Sequence, residues 1–319
     1  MKPVRLIFAL GLAAAIASAA AQETTTVYNS IPKPLPGNVA SEGPEAYAFV
    51  SLGDGMKLAA RDSGTVGKVT VVLSSWACQD GTWFQGTCSS ASGATFSQPI
   101  TVNLYSVTST FSSVYGEPVP TPLALIGTIT QPFTIPYRPS VTPSCGNNTA
   151  DGYSYPTQWY DSSDNACYNG IAIPITVDFS GSHIRVPQNN ELILAVSFNT
   201  TNEGPSPIGV TACNSTSGGC PYDSLNISTD GNGPTGLTNG VGSVLDYNGI
   251  FVDYTVDANA CSGNTAVGVL ALDAPCSTGY HPQITIEATG HRRDHDHDHD
   301  HGRDHGHDHD HDDDHDQHQ

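Results

Sequence analysis

Apolar and polar side chains alternate along many short stretches of this chain, most clearly from 171 to 179. There Ile171, Ile173, Ile175, Val177 and Phe179 alternate with Ala172, Pro174, Thr176 and Asp178. A period of two puts the five apolar side chains on one face of an extended strand. Pro174 falls on the opposite face and has no N–H, which predicts an edge strand or a bulge. The alternation recurs at Val69, Val71 and Leu73, at Val102 and Leu104, at Leu192, Leu194, Val196 and Phe198, and at Ile284 and Ile286. Further strands are expected over 46–52, 125–129 and 249–256. Between them Gly53-Asp54-Gly55, Asp62-Ser63-Gly64 and Asp230-Gly231-Asn232-Gly233 read as turns. No stretch sustains a 3.6-residue period.

Roughly ten or more short strands with one-sided apolar faces predict an all-β fold, an antiparallel β-sandwich or jelly roll. Gly and Pro, 32 and 22 of 319 residues, are scattered throughout and exclude coiled coils and helical repeats. The segment 140–169 holds Trp159 and four Tyr, which would not be left fully exposed, so it reads as a long loop of the domain.

The two ends differ from this middle. Lys2 and Arg5 precede an apolar run from Leu6 to Ile16, and small residues follow to Ala21. That is the pattern of a secretory signal peptide over 1–21, and its apolar run is shorter than the ~20 residues a spanning helix needs. Export follows as an expectation, with the sandwich over 22–290, a tail over 291–319 and no membrane span. In an exported chain eight Cys read as four disulfides. Local pairs are preferred: Cys78 with Cys88, Cys145 with Cys167, Cys213 with Cys220, Cys261 with Cys276. Each brackets a loop segment, and closing ~15 residues stabilises by ~3 kcal/mol in the chain-entropy model; eight Cys allow about 105 connectivities. Sequons at Asn147, Asn199, Asn214 and Asn226 are glycan acceptors if the source is a eukaryote, with chance matches as the plainer reading in a chain rich in Asn, Ser and Thr.

The formal net charge is −20, with 31 acidic and 11 basic residues. With no Lys/Arg stripe to neutralise phosphates, nucleic acid and anionic membrane are not expected partners. No nucleophile elbow, His-Glu-x-x-His, phosphate loop or EF-hand pattern occurs. His183 and His281 lie outside the tail, each without a neighbouring His or Cys, and read as loop or core residues. Paired-carboxylate glycoside chemistry stays open, because any two scattered acids can meet in space.

Two segments carry candidate chemistry. In 153–161, Tyr153, Tyr155, Trp159 and Tyr160 set aromatic faces beside hydrogen-bonding groups, as a sugar-stacking platform would, with a small core under the loop as the alternative. Asp161 and Asp164 offer two carboxylates, short of the roughly six to eight oxygens calcium takes. The tail is different in kind: its 29 residues hold eleven His, eleven Asp and three Arg, and none is apolar. His295, Asp296, His297, Asp298, His299 and His301 form one alternating run, and His305, His307, Asp308, His309, Asp310 and His311 form another. In an extended chain imidazoles then project to one side and carboxylates to the other. Imidazole suits zinc, copper and nickel, and the carboxylates neutralise charge or complete coordination. Without apolar residues the tail is expected to be disordered when metal-free. The plainer reading is a solubilising acidic tail.

The phrases Val27-Tyr28-Asn29-Ser30-Ile31-Pro32-Lys33-Pro34-Leu35-Pro36-Gly37-Asn38-Val39, Gly43-Pro44-Glu45-Ala46-Tyr47, Leu52-Gly53-Asp54 and Pro99-Ile100-Thr101-Val102-Asn103-Leu104-Tyr105 are joined by three more. These are Phe133-Thr134-Ile135-Pro136-Tyr137-Arg138-Pro139, Cys167-Tyr168-Asn169-Gly170 and Gly204-Pro205-Ser206-Pro207-Ile208-Gly209. Together they resemble a group of uncharacterised exported bacterial surface proteins over most of 27–290. The resemblance implies a β-sandwich and export and brings no activity. Members of that group often end in an apolar anchor with a basic stop, where this chain has its Asp/His tail. The expected protein is a secreted, non-enzymatic sandwich that captures divalent metal through the tail. Its rivals are an extracellular glycan binder using the aromatic loop and a glycoside-acting enzyme.

Overall fold

The computed structural model describes residues 24–47, 49–59, 64–81, 86–145, 158–198, 225–229, 241–254, 268–274 and 279–289. The leader, the whole Asp/His tail, Tyr153, Tyr155, Cys213, Cys220, Cys261, Cys276 and three sequon residues (Asn147, Asn199, Asn214) lie outside them. In chain order come β1 (Thr24–Asn29), β2 (Ser41–Glu42), a single helical turn α1 (Pro44–Tyr47), β3 (Phe49–Lys57), β4 (Thr65–Ser75), β5 (Thr95–Ser112) and β6 (Glu117–Pro136). Then follow β7 (Trp159–Asp161), β8 (Ala166–Tyr168), β9 (Ile171–Asp178), β10 (Glu191–Ser197), β11 (Leu225–Ser228), β12 (Ser243–Val244), β13 (Ile250–Tyr254), β14 (Ala271–Asp273) and β15 (Ile284–Thr289).

These strands form two antiparallel sheets and one small hairpin. The first sheet runs β1-β15-β4-β11-β2, with β9 on the other side of β4; the second runs β14-β13-β3-β10-β5-β6, with β12 also on β3. The period-two positions face inward as expected. Val69, Val71 and Leu73 of β4, Ile175 and Val177 of β9 and Ile284 and Ile286 of β15 pack in one core with Leu52, Val102, Leu104, Leu192, Leu194 and Val196 of the second sheet. Burying each such side chain stabilises by about 1.5–3 kcal/mol.

Pro174 sits opposite Val72 on the outer strand β9. The Val72 amide donates to Gln283 O at 3.0 Å, away from β9. Pro174 therefore occupies a non-hydrogen-bonded position, and its missing N–H faces off the sheet edge at no cost in ladder bonds.

Four expectations need correction or extension. Gly53-Asp54-Gly55 is not a turn but the middle of β3, and the strand expected over 46–52 starts only after α1. The two glycines are there for close approach: a Cβ on Gly53 would lie 1.8 Å from the Leu194 carbonyl oxygen, and one on Gly55 would meet the Phe251 ring at 2.9 Å. The strand expected over 125–129 is present but is only a quarter of β6, one arm of a far longer ribbon. β5 has 18 residues and β6 has 20, and the surplus pair is absorbed where Ile126 and Leu123 are skipped in the register. Such bulges bend a ribbon, and the far end of this one folds over the outer face of the second sheet. At its tip the Tyr115 hydroxyl donates to Leu272 O (3.3 Å) and accepts from Ala274 N (3.1 Å). Val107, Ile193, Phe251, Leu272 and Ala274 make a small second core beneath it. The segment 140–169 is likewise more than a loop, for it contains the hairpin β7–β8.

Cys78–Cys88 and Cys145–Cys167 are disulfides, with Cα atoms 5.3 and 5.7 Å apart. The other two expected pairs fall on residues outside those described.

Candidate functional site

The aromatic segment is built on β7–β8, whose hairpin is tied by Cys145–Cys167. Trp159 is 7% exposed; its indole N–H donates to Gly170 O at 2.7 Å and its ring lies 5.9 Å from that of Tyr168. Trp159 thus serves as the small core of the hairpin. Tyr160 points the other way, 42% exposed, with its hydroxyl on Asn165 Oδ1. Of the four residues expected to stack on sugar, it is the one with an open ring among those described. Asp161 Oδ1 accepts from the Ser163 amide (2.8 Å) and hydroxyl (2.7 Å). Asp164 accepts from the Tyr168 hydroxyl, which holds its carboxyl below the ordinary range. Both acids are engaged in closing the turn, and among the described residues no group of three His, Cys, Asp or Glu gathers to hold a metal.

Buried ionisable groups lie elsewhere, between the sheets. Asp54 of β3 points into the core; its Oδ2 is 3.2 Å from His281 Nδ1, its Oδ1 accepts the Gly55 amide at 2.7 Å, and the two side chains are 1% and 0% exposed. Burial pushes the Asp54 carboxyl up, while His281 and the Gly55 amide pull it back. His281 belongs to the run that enters β15, so the pair joins the second sheet to the first. A second set closes the side where edge strands β2 and β14 meet. Tyr254 donates to Asp273 Oδ2 at 2.7 Å, and burial followed by the Asp273 charge raises Glu42 to about 7. Burial, then Asp273, likewise pushes the Tyr254 hydroxyl up. Sealed from solvent, Asp54, His281 and Asp273 can orient and stabilise but cannot meet a substrate.

His281 is a core residue, as a lone histidine was expected to be, but its partner is 227 residues away and no spacing could reveal it. One signal was present: Asp54 lies in phase with Leu52 and Met56, so a strand through 49–57 would have turned it inward. His183, the other histidine outside the tail, caps a 3-10 turn at Ser180–Ser182 with φ 51°.

The described part of the chain is thus an antiparallel β-sandwich with two disulfides and no helix long and apolar enough to cross a membrane. No family model, no curated protein and no solved structure matches it.

Proposed function

We propose that this is an exported, non-enzymatic β-sandwich whose C-terminal tail captures divalent zinc, copper or nickel outside the cell. The observation that carries the reading is the alternation of His and Asp from Asp294 to His311, within 29 residues that hold eleven of each. Neutral imidazoles bind these borderline ions and carboxylates offset their charge. Disulfides accord with an oxidising compartment. The signal-like leader and the resemblance to exported surface proteins point the same way. The last described strand, β15, ends at Thr289, so removing residues 291–319 takes away no described element.

Calorimetric titration of the full chain, and of the chain ending at Gly290, with Zn²⁺, Cu²⁺ and Ni²⁺ tests this. Several ions should bind the full chain and none should bind the shortened one, with identical unfolding curves. Equal binding by both would overturn the assignment.

A further inference from the structure

The β5–β6 ribbon changes character where its register breaks. Up to Leu104 on β5 and from Gly127 on β6 it lines the main core, where Val102, Leu104 and Ile135 are buried. The breaks fall between Leu104 and Tyr105 and between Ser106 and Val107, opposite the skipped Ile126 and Leu123. Beyond them the arm 107–122 supplies no residue to the main core. Val107 is its one buried side chain, and Phe111 and Val114 are 71% and 46% exposed.

The arm holds itself together. Its pairing runs from Val107 with Pro122 to Ser112 with Glu117, Gly116 N donates to Ser112 O at 2.8 Å across the turn, and the Thr110 and Thr121 hydroxyls are 2.6 Å apart. Pro118, Pro120 and Pro122 alternate along its outer strand and, having no N–H, deny that edge three of the donors another strand would need. Its backbone bonds therefore stay within the ribbon whether or not it lies on the sheet. Among the described residues its hydrogen bonds to the rest of the molecule come from one group, the Tyr115 hydroxyl, on Leu272 O at 3.3 Å and Ala274 N at 3.1 Å. Apolar contact is confined to the small outer core, where Val107, Tyr115 and Val119 pack with Ile193, Phe251, Leu272 and Ala274.

Two bulges at the root, a ladder complete in itself and one polar attachment at the tip are the parts of a hinged strap. We infer that the arm 107–122 opens and closes over the outer face of the second sheet as one piece, pivoting at the two bulges, with Tyr115 as its latch. Open, it uncovers an apolar face built on Ile193, Phe251 and Leu272 while the main core stays intact. A two-stranded ribbon standing alone is marginally stable in water, so the arm's amides exchange from the open form. The Ala274 amide then loses the Tyr115 oxygen that shields it.

Hydrogen exchange read by mass spectrometry on the full chain tests the strap, with Tyr115→Phe as the latch variant and Val119→Ser as a second. In the parent, 107–122 should exchange about tenfold or more faster than 96–104 and 127–135 of the same strands. Tyr115→Phe should speed 107–122 and Ala274 by a further ~3–10-fold, the loss expected for one buried hydroxyl. It should also raise the fluorescence of added anilinonaphthalene sulfonate and leave the main thermal transition within a few degrees of the parent. Val119→Ser should act in the same direction on all three readouts. Equal exchange of arm and flanks, a fast arm that Tyr115→Phe does not speed, or a main transition that falls in step with the arm would overturn the strap. Removing residues 291–319 should alter none of these readouts, so the strap and the tail's metal binding stand or fall separately.

Discussion

Glu42→Gln should make the protein more stable above neutral pH and leave it unchanged in acid. Glu42 sits on the short edge strand β2, paired with the first sheet through Ile227, and its carboxyl is raised from 4.5 to about 7 by burial and then by Asp273. With the folded value above the unfolded one, the native state holds more protons between pH 4.5 and 7. Stability therefore falls as pH rises through that window. At ~1.4 kcal/mol per unit, a shift of roughly two and a half units costs about 3 kcal/mol at pH 8, a ceiling because Glu42 keeps some contact with water. Glutamine keeps the shape and has no charge to lose.

The assay is urea unfolding of both proteins, followed by tryptophan fluorescence, at pH 4, 5.5, 7 and 8.5. Asp54 and Asp253, also raised by burial, are present in both and cancel in the difference. The difference should be near zero at pH 4 and grow to ~2–3 kcal/mol by pH 8.5. A constant difference across pH, or none, would refute the account, since only a titrating charge gives a pH-dependent gain.

Asp54→Ala should destabilise by ~3–5 kcal/mol, since it strips the carboxylate from a buried hydrogen-bonded pair and leaves the His281 ring without it, and the double variant with His281→Ala should lose less than the sum of the singles; denaturant cycles at neutral pH measure both. Gly53→Ala should lose several kcal/mol, ~4 or more, because its Cβ would strike the Leu194 carbonyl 1.8 Å away, and a melting temperature within a few degrees of the parent would contradict that close approach. Leu194→Ala should cost ~2–5 kcal/mol as a plain core cavity, which the same denaturant titration reads. Tail binding of zinc should fall as pH drops from 7.5 towards ~5, because protons compete for imidazole, while copper persists to lower pH; calorimetry on the full chain checks the order of release.

What could be read from the sequence is what repeats within one strand. The inward sets at Val69–Leu73, Leu192–Val196 and Ile284–Ile286 needed only alternation, and Pro174 marked its edge because a missing N–H is tolerated only where no ladder bond is due. Gly53-Asp54-Gly55 misled for a physical reason: the same absence of a side chain that permits a turn also permits a neighbouring backbone and the Phe251 ring to come close. Local chemistry does not separate these two uses of glycine. The Cys78–Cys88 and Cys145–Cys167 pairs were accessible because each joins neighbours in the chain, 10 and 22 residues apart.

A row of residues that runs across the outward face of the second sheet is hidden from sequence by construction. Thr130, Thr101, Ser197, Ser51 and Asp253 come from five strands separated by tens of residues, and each is an ordinary polar residue at an ordinary outward position. What aligns them is register, set by the bulges in β6 and by Gly53 and Ala195, which let β3 and β10 lie close on that face. The same reasoning separates the tail from the sandwich in kind. The tail's metal chemistry is carried by residue types at fixed local spacing and would survive in a peptide. The core of the sandwich exists only in the folded sheets, so a strand slip of one residue would turn the hydroxyls inward and the core residues out, and would abolish stability.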